Sequence, residues 1–251
     1  MTDPTERFSG RAAAYQAARP SYPAAVTSLL GVREGIVAAD LGAGTGIFTR
    51  VLLEAGATVL AIEPNDEMRA IAEHDLAAFA RFRSVAGRAE ATTLPDASVD
   101  LVTAAQAFHW FDVDATRREV ERILRPGGTA ALVWNDRDRT STPFLVDLDA
   151  MFVVHCPGYR KLQGRGDQTS AFDAFFGAGR WTRHALTNAQ RLDRDGLVLR
   201  VTSTSFTPDV GTPERVAFEE AARELFDRHA QDGFVTIDYE VVVIVSRASP
   251  P

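Results

Sequence analysis

The sequence predicts an α/β protein built on a doubly wound, Rossmann-like sheet, and three observations carry that expectation. From about Ile36 to Asn135, short apolar runs of β type alternate with helical periodicity, as βαβ crossovers require. The first run ends in Asp40 and passes at once into Leu41-Gly42-Ala43-Gly44-Thr45-Gly46, a glycine loop that opens onto a helical segment. The second run ends in another acid, Glu63, so two carboxylates stand at strand tips, where open α/β sheets bind their ligands.

Taken in order, Phe8 to Arg19 forms an amphipathic helical pattern with Phe8, Ala12 and Tyr15 on one face. Strands are expected near 36–41, 58–63, 82–86, 99–104 and 128–135. Between them lie helices from Thr45 to Ala55, from Asn65 to Ala77 and from Val113 to Leu124, the last stopped by Arg125-Pro126-Gly127-Gly128, which launches the fifth strand. Past Asn135 the character changes. Phe144 to His155 reads as a helix, 156–170 as a polar glycine-rich loop, and Trp181 to Leu192 as an alternating strand. Arg194 to Thr202 is a short helix, Pro213 to Gln231 an amphipathic one, and Phe234 to Arg247 a β-branched strand.

The 251 residues can bury a full core and suit one domain over 1–251 better than two independent ones. Hydrophobic residues at 45% and charged ones at 24% fit a soluble globular protein. With 27 basic and 34 acidic side chains the net charge is -7, which speaks against a nucleic-acid partner, since displacing counterions needs a basic stripe. Met1 to Gly10 is polar, without the apolar core of a signal peptide, and no apolar run reaches bilayer length; a cytoplasmic protein with no membrane partner is expected. The lone Cys156 cannot form an internal disulfide, and without clustered His or Cys beside it no metal is expected; it reads as a small apolar residue near a helix end.

The glycine loop separates two kinds of nucleotide site. A dinucleotide fingerprint needs its third glycine one position further along, where Ile47 stands, and Asp40 would repel a pyrophosphate while attracting an amine or a sulfonium. A nicotinamide oxidoreductase is disfavoured on both grounds, and no Gly-Lys-Ser/Thr follows to make a P-loop. Glu63 can accept both hydroxyls of a ribose.

Asp40 to Gly46 followed by Ala61-Ile62-Glu63-Pro64 resembles the first two motifs of class I S-adenosylmethionine-dependent methyltransferases. Gln106-Ala107-Phe108-His109-Trp110-Phe111, Arg19-Pro20-Ser21-Tyr22-Pro23 and Trp134-Asn135-Asp136-Arg137-Asp138 narrow the likeness to the type 11 branch, similar to trans-aconitate and other small-molecule O-methyltransferases. The resemblance covers the chain to about Asp138 and is loose beyond. It implies seven strands with the last antiparallel, and S-adenosylmethionine as cofactor with S-adenosylhomocysteine as product. It also implies an N-terminal helical lid (1–34), a cofactor-binding core (35–138), and an acceptor-side insertion after strand 5 with the last two strands (139–251).

The resemblance assigns Asp40 to the methionine amino end, Gly42, Ala43, Gly44 and Gly46 to the backbone contact surface, and Glu63 with Pro64 and Met68 to the ribose side. Gly87-Arg88-Ala89-Glu90 looks like the adenine-contacting turn, through Ala89 and Glu90, although Glu90 alone also reads as a solvated loop acid. Gln106 and the aromatics after it should pass beside the transferable methyl group, because ligands sit beyond the carboxyl ends of the strands. His109 is either a base for the acceptor or a packed side chain that orients its loop. Tyr15, Arg19, Tyr22 and Trp110 are candidate contacts to the acceptor or the methionine carboxylate, with packed aromatics and a solvated arginine as the bland readings. Arg137 and Arg139 could clamp an acceptor carboxylate, or simply be solvated.

The function expected is methyl transfer to a small molecule at a carboxylate or hydroxyl oxygen, by a monomer or homodimer. A protein or nucleic-acid methyltransferase and a non-catalytic S-adenosylmethionine-binding module are the alternatives.

Overall fold

The computed structural model describes residues 19–159, 168–204 and 206–246. Strands β1 (Val37–Leu41), β2 (Thr58–Ile62), β3 (Phe82–Val85), β4 (Val99–Ala105), β5 (Leu124–Arg137), β6 (Trp181–Leu192) and β7 (Val235–Ser246) form one sheet in the order β3-β2-β1-β4-β5-β7-β6. Neighbours from β3 to β5 are parallel, whereas β7 runs antiparallel to both β5 and β6. The doubly wound, seven-stranded sheet with an antiparallel last strand is thus the architecture the sequence led us to expect.

Strand alternation fills two cores, one on each face of the sheet. In β1, Ala38 points to one apolar cluster, with Val59, Leu101, Val133, Val241 and Val243, while Ala39 and Leu41 point to the other, with Val102, Ala104, Leu132, Trp134, Val242 and Ile244. A run of small and β-branched residues without polar alternation is what a strand covered on both faces needs. A third cluster lies under the C-terminal helices, where Leu148, Phe152, Leu197, Phe218 and Leu225 meet Ile237 and Tyr239.

The helices are α1 (Ala25–Leu29), α2 (Ile47–Glu54), α3 (Asp66–Asp75), α4 (Val113–Ile123), α5 (Pro143–His155), α6 (Thr169–Phe176), α7 (Arg194–Thr202) and α8 (Pro213–His229). Side chains of Asn65, Asp112, Thr142, Asp193 and Thr212 cap α3, α4, α5, α7 and α8 by accepting a first-turn backbone N–H, each worth about 1 kcal/mol. Among the described residues the expected elements are present with ends moved by one to a few residues, and three differences have physical causes.

Arg125-Pro126-Gly127-Gly128 does not precede β5 but bulges out of it: Val99 pairs with Leu124 and Leu101 with Thr129, with Gly127 at φ +78° inside the excursion. Helix α6 begins inside the stretch expected to be loop, because Phe172 and Phe175 pack on the sheet core; their spacing with Phe176 was the helical signal. The short α1 has too few turns to show periodicity. The Phe8 to Arg19 pattern, including Tyr15, lies outside the described residues except for Arg19. Cys156 caps the end of α5, fully buried, and burial pushes its thiol up to about 12, in keeping with a packing role. No helix among the described residues is long and apolar enough to cross a membrane, and none of their His, Cys, Asp or Glu side chains cluster as a metal site.

Candidate active-site cleft

Strand order reverses between β1 and β4, and beyond their carboxyl ends opens a cleft of about 1230 Å³ including its mouth. Its floor is the glycine loop. Gly42 and Gly44 adopt φ of +64° and +57°, which L side chains rarely reach, and a Cβ on Gly42 would stand 2.7 Å from Ala107 Cβ. Gly44 has open space on that side, its nearest neighbour being Met68 Sδ at 3.8 Å, so its backbone is bared to the cleft.

Two buried acids flank this floor. Asp40, 1% exposed, accepts hydrogen bonds from Thr49 Oγ1 at 2.7 Å and Thr103 Oγ1 at 2.8 Å. Burial raises its pKa from 3.8 to about 6; the two hydroxyls oppose the rise and the Glu63 charge adds to it. Glu63, 7% exposed, accepts from Gly44 N with Oε2 and from Asn65 N with Oε1, both at 2.8 Å. It therefore fixes both the glycine loop and the start of α3, and each oxygen keeps a lone pair for a ligand. Burial raises its pKa, against the lowering effect of the two N–H groups and Arg69.

The turn after β3 forms one end of the cleft, with Arg88, Ala89 and Glu90 on its wall. Glu90 Oε1 accepts from Asp112 N at 3.0 Å, tying this turn to the aromatic segment after β4. Gln106 opens that segment at φ +58°, a strained conformation for a residue with a side chain, held by Gln106 N to Val133 O at 2.8 Å and Nε2 to Asn135 O at 3.1 Å. The 3₁₀ turn Phe108–Trp110 then splays successive side chains apart: Phe108 enters the core and Trp110 reaches the cleft.

The opposite wall is assembled from distant segments. Asn188 Nδ2 on β6 donates to Ser21 O at 2.8 Å and to Asn135 Oδ1 at 3.0 Å, and Asn135 Nδ2 donates to Ser21 O at 3.3 Å. These amides seat the Arg19–Pro23 segment so that Arg19, Pro20 and Tyr22 line the cleft, with Tyr22 edge-on to Phe48 at 4.9 Å between centroids. Arg200 of α7 completes the wall.

Of the residues singled out in the sequence, Asp40, Gly42, Ala43, Gly44, Glu63, Pro64, Met68, Ala89, Glu90 and Gln106 line this one cleft, joined by Arg19, Tyr22 and Trp110. Four others do not. Gly46 is the left-handed N-cap of α2, packed where a Cβ would meet Leu76 Cδ1 at 2.7 Å. His109 is off the cleft wall, its Nδ1 buried and its ring tilted against Trp110 at 4.7 Å between centroids, because the 3₁₀ turn gives the open direction to Trp110. Arg137 is turned away from an acceptor: it pairs with Asp149 at 2.8 Å, donates to Tyr159 Oη at 2.6 Å and lies over the Phe152 ring, while Tyr159 itself donates a short hydrogen bond to Asp149. Arg139 follows it, 3.8 Å from Asp149 and over the Tyr159 ring. Sequence reasoning missed Thr45 and Arg200 on the wall. Thr45 is the residue between two loop glycines and could have been read; Arg200 had no motif around it.

The cleft has the features a nucleoside-type sulfonium cofactor requires: bared backbone at Gly44, two buried acids, and the Oγ1 of Thr45, buried on the wall with no hydrogen-bond partner among the described residues.

Comparison with known proteins agrees. Residues 39–132 match the methyltransferase domain family. An uncharacterised methyltransferase of Mycobacterium tuberculosis is 43% identical over 131 residues, 52% of this chain and 53% of that one, so the chain spans about half the length of such a relative. A malonyl-[acyl-carrier protein] O-methyltransferase of Pectobacterium atrosepticum is 35% identical over 105 residues, 41% of this chain and 40% of the other. The structure of a candidate type II methyltransferase from Anaeromyxobacter dehalogenans shares the fold, with a TM-score of 0.68 at 24% identity over 93% of this chain and 99% of that one. Residues 39–132 therefore match a methyltransferase domain, in line with the resemblance of their motifs to class I, S-adenosylmethionine-dependent methyltransferases.

Proposed function

We propose that this protein transfers the methyl group of S-adenosylmethionine to an oxygen of a small-molecule acceptor. The observation that carries the reading is the pair of buried acids at the tips of β1 and β2, set on either side of a bared glycine backbone in the same cleft as an aromatic and cationic wall. Asp40 would face the cofactor's amino end, Glu63 its ribose hydroxyls, and the Ala89–Glu90 turn its adenine edge. When bound, S-adenosylmethionine supplies an electrophilic methyl: an acceptor oxygen lone pair forms the C–O bond as the C–S bond breaks, and that electron pair stays on sulfur.

What the chain contributes is alignment and exclusion of water. Trp110, Phe111 and Tyr22 provide apolar walls around the reaction space, and Gln106, pinned by two hydrogen bonds in its strained conformation, fixes where that wall begins. His109, packed against Trp110 behind the wall, orients it; an already ionised acceptor needs no base. The oxygen assignment is supported by the Pectobacterium relative, whose name states O-methylation.

Calorimetric titration with S-adenosylmethionine and S-adenosylhomocysteine tests the reading, followed by S-adenosylhomocysteine formation with carboxylic acids and phenols as acceptors. Saturable wild-type binding, weakened about tenfold or more by Asp40→Ala and by Glu63→Ala, is expected. A folded wild-type protein that binds neither ligand overturns it. Binding without turnover on small acceptors favours the non-catalytic or macromolecular alternatives.

A further inference from the structure

We propose that Arg200 anchors an anionic group of the methyl acceptor, steered by Tyr239 and Gln190, so that the acceptor is a small acid carrying a second oxygen nucleophile. This rests on the methyltransferase reading above and names the substrate class of the same cleft. Arg200 is only 7% exposed, yet it lies on the cleft wall. Its Nε donates to Tyr239 Oη at 3.0 Å, and Tyr239 Oη in turn donates to Gln190 Oε1 at 3.2 Å. The guanidinium carbon also sits 5.8 Å from the centre of the Tyr239 ring. Tyr239 is on β7 and Gln190 on β6, so two strands and a helix converge on one cation.

No acid pairs with that cation among the described residues. Arg137 and Arg215, also largely withdrawn from solvent on the C-terminal side, each have one: Asp149 at 2.8 Å and Glu219 at 2.8 Å. The three acids that share the cleft with Arg200 are engaged elsewhere, Asp40 by two threonine hydroxyls, Glu63 by two backbone N–H groups, and Glu90 by Asp112 N and by Arg88 at 3.7 Å. Withdrawing a guanidinium from water without a counter-charge is unfavourable, and such a group at a cavity wall is a site for an incoming anion. With Nε committed to Tyr239, the two terminal nitrogens remain, the fork that takes a carboxylate edge-on.

Position within the sheet separates this site from the cofactor groups. Asp40 stands near the end of β1, and Glu63 and the Ala89 turn follow β2 and β3, whereas Arg200 and Tyr239 belong to the β7–β6 side, beyond β4 and β5. The anchored group is not the one methylated, because a carboxylate held by the guanidinium fork has its lone pairs drawn toward N–H donors. Hence a second oxygen, on the same small molecule, faces the methyl group.

The test uses the full chain saturated with S-adenosylhomocysteine and titrated with succinate, tricarballylate and 4-hydroxyphenylacetate, each against its uncharged amide. At least one acid should bind the wild-type complex tenfold or more tightly than its amide. Arg200→Met should erase that preference while S-adenosylhomocysteine affinity stays within about twofold; Arg200→Lys should recover part of it, and Tyr239→Phe should reduce it about threefold. Retained S-adenosylhomocysteine binding also shows that each variant is folded. A tenfold or greater loss of that binding in Arg200→Met would mean the guanidinium holds the cofactor's own carboxylate, and overturns the proposal. So does a wild-type complex that prefers none of the acids. Failure of the wild-type protein to bind S-adenosylhomocysteine at all sinks the methyltransferase reading itself, and this proposal with it.

Discussion

On the β1–β2 side of the cleft, the floor, both acids and the threonine between the glycines come from one continuous stretch, Asp40 to Met68, folded as a single strand-loop-helix-strand unit. On the β7–β6 side, Arg19, Asn135, Asn188, Arg200 and Tyr239 come from five separate segments and meet only because the sheet brings them together. The first wall is held by backbone geometry and has almost no freedom to vary. The second is held by side-chain hydrogen bonds, amide to carbonyl and guanidinium to phenol, which can be exchanged without disturbing the sheet. On the proposed function, one chain thus joins a fixed floor for the cofactor to an adaptable wall for the acceptor, and the two should respond differently to substitution.

The largest difference is expected at Gly42. Its φ of +64° and the 2.7 Å approach of a would-be Cβ to Ala107 leave no room for a branched side chain. Gly42→Val should lower stability by about 2–4 kcal/mol and weaken S-adenosylhomocysteine binding by about a hundredfold or more. Denaturant unfolding and calorimetry measure the two. Near-native binding by this variant would show that the floor is as adaptable as the wall, and the contrast between them would be lost.

The same contrast explains what could be read from the sequence. Asp40, the glycines and Glu63 were legible because the chemistry and the spacing are local: a tight turn, a helix start and two strand tips within one unit. Gln106 and Trp110 were legible as a segment, but which aromatic faces the cleft was not; the 3₁₀ turn at Phe108–Trp110 decides that, and it moved His109 off the wall. Arg137 carried the right charge at the right strand end, yet Asp149, twelve positions on in α5, captures it. Arg200 was invisible because nothing near it in sequence marks it: its partners Tyr239 and Gln190 are on β7 and β6.

A smaller effect, and one confined to the adaptable side, is expected at Arg137. Removing the guanidinium leaves Asp149 mostly buried beside Tyr159 with only the more distant Arg139 at 3.8 Å. Arg137→Leu should therefore destabilise the fold by about 2–3 kcal/mol, below the full penalty of a buried broken pair because Asp149 keeps part of its solvent and the Tyr159 bond. S-adenosylhomocysteine affinity should be unchanged within about twofold. A tenfold loss of that affinity would return Arg137 to the binding site and contradict the placement of its side chain.

The most gradual effect is a pH dependence that belongs to the fixed side alone. Burial holds Asp40 at about 6, above its ordinary 3.8, so the folded protein retains a proton that the unfolded chain has released. Its ionisation therefore costs about 3 kcal/mol of stability at neutral pH, and that cost fades as pH falls from about 6 toward 3.8. Ligand binding runs the other way. A cationic amino group or sulfonium beside Asp40 favours the carboxylate, so the cofactor must displace the proton below about pH 6. Affinity for S-adenosylmethionine should be nearly level from pH 8 to 6.5 and fall about fivefold between pH 6 and 5. In Asp40→Asn the same titrations should start weaker and lose that slope. An Asn variant that keeps the wild-type slope would place the titrating group elsewhere in the cleft, with Glu63, also raised by burial, as the acid to substitute next.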